Sequence, residues 1–343
     1  MAAGWPPFWE PQSVGQTAES ATADLDQSPT HSRVVTRCDG LTNLARGTRS
    51  LSNLTAVTRR SIGKMPRAAS LDYVADRPRT VSLEDAIVCW LDLLGLRERL
   101  ITSSQNASES AFVADYLRVL RPIYRTLRWD FSATDFRWNA FSDMIVLSVP
   151  IDSGHPEEMI AQLAIVAADV QFRLACLGWF LRGSVALGPL YTTRQFVIGT
   201  GLTNALRLER KEAVWPRVIV DVSIRNALPT FLSYYSEPED SPENLAFAGD
   251  ADGHVFINYL HAPIGLDYTP DRTGQLLDRH KERVVNALAE HRHTRRVRRK
   301  YLWVAAYHNW FCSTWLDAKS AKELVIPHVR KRAFVQLVEW ARL

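Results

Sequence analysis

The chain has 343 residues, 46% of them apolar and 23% charged, with a net charge of +4. At ~100–200 residues per domain this allows one large domain or two ordinary ones, and the composition excludes global disorder. No run reaches the ~18 uncharged apolar residues that span a bilayer, and the charge is too weak to imply nucleic acid by itself.

Residues 1–78 are rich in Ser, Thr, Ala and Arg and lack a sustained period, which reads as a mobile tail. Alternatively the stretch is a start-site artefact, with Met65 as the true first residue. From about Thr80 the character changes, and one domain is expected over 79–343. Ser82-Leu-Glu-Asp85 has the spacing of a helix start, but Ala86 to Leu94 follows at once as a continuous apolar run closed by Gly95, the pattern of a buried strand. Ser108 to Leu127 carries apolar residues at helical spacing. Trp138 to Pro150 has a strand pattern interrupted at Ser142-Asp143. Glu157 to Leu177 reads as an amphipathic helix, Phe180 to Leu190 as a strand, Phe196 to Ile198 as a short strand, Thr203 to Ala213 as a helix and Val218 to Val222 as a strand. Phe247 to Leu260 reads as a hairpin turning tightly at Asp252-Gly253. Residues 275–310 read as one long helical stretch. The order predicts an α+β fold, one sheet covered by helices, with a C-terminal helical extension.

Two carboxylates stand out for their neighbours. Asp92 lies inside AIVCWLDLL and Asp143 inside FSDMIVLSV. An ionised carboxylate costs several kcal/mol to bury alone, so each must reach a sheet end or meet a cation. On adjacent strands the pair suits two divalent ions, because Mg²⁺ and Mn²⁺ take carboxylates together with phosphate oxygens and water. The alternative is a strand-end turn or salt bridge at each position. Other chemistries lack their signatures. The 16 glycines include neither G-x-x-x-x-G-K-[ST] nor G-x-G-x-x-G. Cys38, Cys89, Cys176 and Cys312 are far apart, which excludes a zinc ribbon and a disulfide scaffold and suits a reducing cytoplasm. Met1 to Gln12 has no basic or apolar signal region, so a cytoplasmic location is expected. His254, His261, His308 and His328 are scattered, and no G-x-S-x-G elbow is present.

The segments resemble class III nucleotidyl cyclase catalytic domains in order and spacing. They carry Cys89-Trp-Leu-Asp92-Leu-Leu-Gly95-Leu, Phe141-Ser-Asp143-Met, Leu181-Arg182-Gly-Ser-Val-Ala-Leu-Gly188, and Gly199-Thr-Gly-Leu-Thr203-Asn-Ala-Leu-Arg207-Leu-Glu209. Within that group the chain is similar to the bacterial Pycsar pyrimidine nucleotide cyclases of anti-phage defence. That likeness adds Trp215-Pro-Arg-Val-Ile-Val220, Asp250-Ala-Asp-Gly-His-Val-Phe-Ile-Asn-Tyr-Leu260 and Lys300-Tyr-Leu-Trp-Val-Ala-Ala-Tyr-His-Asn309. The resemblance implies two Mn²⁺ or Mg²⁺ ions held by Asp92, Asp143 and the Leu93 carbonyl. It implies a phosphate-binding Arg182, whose planar fork suits phosphate oxygens, and a transition-state Arg207 acting on charge at the α-phosphoryl group. It also implies a homodimer with sites at the interface, and a cyclic product that switches on a separate effector.

The departures concern base choice. Asn139 stands at the first base-reading position and Phe196 at the second, in place of a charged purine code. Thr203 stands where the family's transition-state Asn is placed, with Asn204 next to it. The Asn139 amide matches a uracil edge in one orientation and a cytosine edge in the other. UTP is the expected substrate, with CTP the alternative. A non-catalytic nucleotide binder, a purine cyclase, and a nucleic-acid binder using Arg292, Arg295, Arg296, Arg298, Arg299 and Lys300 are the rival readings. For that basic stretch the competing view is a packed helix with a solvated basic face, since Val284, Leu288, Val297, Tyr301, Leu302 and Val304 keep helical spacing.

Overall fold

The computed structural model describes residues 81–105, 108–130, 136–151, 155–193, 195–265 and 269–342; the 1–78 stretch lies outside them. The predicted apolar run forms β1 (Glu84–Leu93), and tertiary burial overrides the helix-start spacing at Ser82. A polar helix α1 (Leu96–Gln105) follows, then α2 (Glu109–Asp130), which continues through Pro122. The interrupted strand pattern resolves into β2 (Arg137–Phe141) and β3 (Met144–Pro150). Next come α3 (Pro156–Ala175), β4 (Leu181–Thr192), β5 (Val197–Gly199), α4 (Thr200–Glu212), β6 (Val218–Val220) and α5 (Val222–Leu232). The Asp221 carboxylate caps α5 by accepting from Ile224 N–H at 2.9 Å.

The short α6 (Pro242–Ala246) leads to β7 (Phe247–Asp250) and β8 (Val255–Ile257). The hairpin is there, but its turn is not the predicted two-residue one. Asp250 N–H still donates across the hairpin to His254 O at 2.9 Å, so Ala251, Asp252 and Gly253 close it, with Gly253 in the left-handed region at φ +82°. After α7 (Ala262–Gly265), the expected single helix over 275–310 is two helices, α8 (Pro270–Glu290) and α9 (Arg295–Trp315), because His291 to Thr294 forms a turn. The chain ends with α10 (Ala318–Leu324), β9 (Phe334–Gln336) and α11 (Leu337–Trp340). The C-terminal extension is therefore not purely helical: β9 adds an edge strand to the sheet.

The strands form one mixed sheet in the order β2-β3-β1-β4-β6-β8-β7-β9, with β5 beside β4. Among the described residues only β4 and β6 run parallel. The fold mixes helices and strands, with one multi-strand and mostly antiparallel sheet carrying the helices, as the α+β expectation has it. Alternation along β1 sorts its two faces. Ile87, Cys89, Leu91 and Leu93 join the large core formed with α3, α8 and α9. Ala86, Val88 and Trp90 join a small cluster under α4, which includes Ala205. Among the described residues no helix is long and apolar enough to cross a membrane.

Candidate active site

Asp92 shares the parity of Val88 and Trp90, so it stands on the α4 face. The register aligns Phe141, Met144, Asp92 and Arg182 across β2, β3, β1 and β4, and aligns Asn139, Val146, Trp90 and Ser184 in the adjoining row. Asp143 precedes β3, in the turn beside the end of β1, and its carbonyl accepts from Leu93 N–H at 2.8 Å. The turn holds Ser142 at φ +57°, an unusual conformation for a side-chain-bearing residue. Tyr116 from α2 anchors it, donating its hydroxyl to Ser142 O at 2.7 Å. Burial and then the nearby Asp143 charge raise the Tyr116 hydroxyl to about 12.

Arg182 is clamped between two carboxylates. Its Nη2 lies 3.0 Å from Asp92 Oδ2 and 2.5 Å from Glu209 Oε1. Glu209 carries no assigned role in the sequence reading, yet it is buried at 3% exposure. Its signal was available in the spacing, since Gly201, Ala205 and Glu209 recur every four residues on the buried stripe of α4. Arg182 keeps its Nε–H buried without a hydrogen-bond partner among the described residues. Arg182 is thus ion-paired with both carboxylates, while its Nε–H stays unengaged among the described residues.

Charge balance at the cluster is incomplete. Burial raises the Asp92 carboxyl; Arg182 pulls it down, Asp143 pushes it up and Lys300 pulls it down, and the net direction is upward. Glu209 is raised by burial against the pull of Arg182, with Asp92 adding to the rise. Lys300, on α9, is lowered by burial and by Arg182 and Arg296, while Asp92 and Glu209 oppose that. Lys300 thus belongs electrostatically to the cluster, which its place in a basic run did not indicate. Among the described residues no group of three or more His, Cys, Asp or Glu side chains is arranged to hold a metal ion.

Asn139 lies one row from Asp92 and donates its Nδ2 to Thr193 O at 3.1 Å. One of its two amide hydrogens is therefore spent on the backbone. The same turn carries Phe196, which is 56% exposed, and is pinned by Thr193 Oγ1, which accepts from Phe196 N–H at 3.0 Å. The two base-reading candidates are thus tied to one loop. The remaining residues are not brought in. Thr203 and Arg207 sit four apart on the exposed side of α4, away from the stripe that faces Asp92 and Arg182. The Thr203 hydroxyl donates to Gly199 O at 3.2 Å, and Asn204 Nδ2 donates to Leu187 O at 3.3 Å. The basic 292–300 stretch spans the α8–α9 turn, with Tyr301 and Val304 buried as the packed-helix view requires.

No family model matches the chain, and no curated protein matches it. Among solved structures it is similar to a class III adenylyl cyclase-like ATP-binding protein from Pseudomonas aeruginosa. That similarity has a TM-score of 0.30 at 12% identity, over 42% of this chain and 35% of the other.

Proposed function

We propose that the chain is a nucleotidyl cyclase acting on a pyrimidine nucleoside triphosphate, UTP first and CTP as the alternative. In the proposed reaction the ribose 3′ oxygen attacks the α-phosphorus and pyrophosphate leaves, giving the 3′,5′-cyclic monophosphate. The observation that carries the reading is the meeting of Asp92 and Asp143 at adjacent strand ends beside Arg182 and Lys300. Asp92, Asp143 and the Leu93 carbonyl are hard oxygen donors suited to Mn²⁺ or Mg²⁺. Burial raises the Asp92 carboxyl first and the neighbouring Asp143 charge adds to it, and a cation between the two would offset both. Two bound ions would activate the attacking oxygen and neutralise charge on the phosphates.

The chain's own groups supply the rest. The partly exposed guanidinium of Arg182 offers phosphate donors, and Glu209 keeps that side chain aimed when Asp92 is otherwise engaged. Asn139 and Phe196 flank the base on the turn at Thr193. Arg207 and Thr203 face away from their own cluster, which favours their use in the site of a second copy: a homodimer with two equivalent sites at the interface. The resemblance in sequence is the ground for a role in anti-phage defence through a separate effector.

The test is incubation with Mn²⁺ and each of the four ribonucleoside triphosphates, with products identified by mass. No cyclic product from any of them sinks the reading, and cyclic AMP as the main product sinks the base assignment. Asp92→Ala and Asp143→Ala should each abolish turnover in a folded chain. Mixing inactive Asp92→Ala with inactive Arg207→Ala should restore partial activity; no restoration rejects the shared site.

A further inference from the structure

A cavity of about 850 Å³ lies beyond the end of β1. It is bounded by the corner after β1 (Leu94, Gly95), by α1 and α2, by the α3–β4 loop and by the α8–α9 turn. Its volume falls in the ~300–1,000 Å³ range of small-molecule sites. Phe112, Val119, Trp179, Val297 and Tyr301 in its wall all belong to or pack on the large core, whereas the Asp92 and Asn139 rows face the small cluster under α4. The cavity wall and the Asp92 row therefore belong to different packing faces, and the two places share one residue, Lys300.

Its charge is mixed: among the described lining residues Arg99, Arg283 and Lys300 stand beside Glu98 and Glu290. Two of these cations are oriented by groups that leave their charge uncompensated. Arg99 donates to Gly178 O at 3.3 Å and lies 4.7 Å over the Trp179 ring, and Arg283 donates to Cys176 O at 3.4 Å. Preoriented guanidinium groups are the strongest protein donors for phosphate oxygens. Beside them Leu177, 45% exposed, presents an apolar surface to the same space. Cations on one side and apolar surface on the other match a ligand with a phosphate at one end and a less polar body.

We propose that this cavity is a second ligand site, for a small organic phosphate, independent of the cyclase reading. Lys300 is where the two sites meet: it lines the cavity and also senses Asp92 and Glu209.

The test uses the full chain in EDTA, so that any site needing divalent ions is silent. Phenyl phosphate and UMP are titrated by calorimetry, with phenol and uridine as uncharged controls. At least one phosphate should bind while its uncharged control does not. Arg283→Gln should weaken binding tenfold or more. Thr102→Glu, at an exposed cavity position that holds only an intrahelical bond to Glu98 O, should do the same with an unchanged melting temperature. Asp92→Asn and Asn139→Ala should bind as the parent does. No binding of either phosphate at millimolar concentration overturns the proposal, as does equal binding of the uncharged controls. Loss in Arg182→Gln with retention in Thr102→Glu also overturns it, by moving the ligand to the other face.

Discussion

Replacing Asp250 with alanine tests the most buried ion pair among the described residues. Asp250 and Arg217 are both fully buried and form an ion pair. Asp250 also accepts from Trp303 Nε1 at 2.8 Å, from Ala251 N–H at 2.7 Å and from Arg332 Nε at 2.5 Å. Asp252, one-third exposed, is the other carboxylate on Arg217, at 2.7 Å. Without Asp250, Arg217 keeps a buried charge with one partly solvated partner. Breaking a buried pair from one side costs about 3–5 kcal/mol. Orphaning Trp303 Nε1 overlaps with that cost and does not add in full. In a folded unit of this size the melting temperature should fall by roughly 6–20 °C, read by urea and thermal denaturation followed by circular dichroism. Asp252→Ala, at a more solvated position, should cost only about 1 kcal/mol or less. Adding Arg217→Met to Asp250→Ala should recover part of the loss, since the stranded charge is then gone. The reasoning fails if Asp250→Ala costs no more than Asp252→Ala, or if the two changes in the double variant simply add. The network also bears on the candidate site, because Arg217 O accepts from Gly183 N–H at 3.0 Å and so holds β6 beside Arg182.

The buried histidines predict a pH dependence. His308 Nε2 donates to Leu324 O, so its Nδ1 accepts from His280, whose Nε2 accepts from the Tyr259 hydroxyl; this relay needs both rings neutral. Burial lowers His280 well below the ordinary histidine value, and lowers His308 and His261 to about 4. The unfolded chain therefore binds more protons below about 6.5. Stability should be full above that pH and fall toward pH 4, by at most about 1.4 kcal/mol per histidine per pH unit. Urea midpoints at pH 7.5, 6 and 5 check this, and a flat profile refutes it. Gly183→Ala should separate β1 from β4, since a Cβ there would lie 2.2 Å from Trp90 O. About 1–3 kcal/mol of stability should be lost, and an unchanged denaturation midpoint would refute the close approach.

The strands before β9 and the helices α2, α3, α4, α8 and α9 were legible in sequence because their signals are local, whereas α1, α5, α6, α7, α10 and α11 were not. Apolar runs mark β1 and β3, and helical spacing marks α2 and α3 even across Pro122. Asp92 and Asp143 could be singled out because a carboxylate inside such a run needs an explanation wherever the strand lies. What stayed hidden was either short or decided elsewhere in the chain. The outer turns of α1 carry Arg97, Glu98, Arg99 and Thr102, too polar to announce a helix by periodicity. β9 is three residues long and exists because β7 offers it an edge. The break between α8 and α9 falls inside a run whose composition suits one helix. By itself the sequence determined that there are strands, which of their positions carry charge, and that no glycine-rich phosphate loop is available. Only the tertiary structure decided the partners of those charges. Glu209 meets Arg182 across 27 residues and Asp92 meets it across 90, because sheet register and a packed helix, not sequence distance, set which side chains share a face.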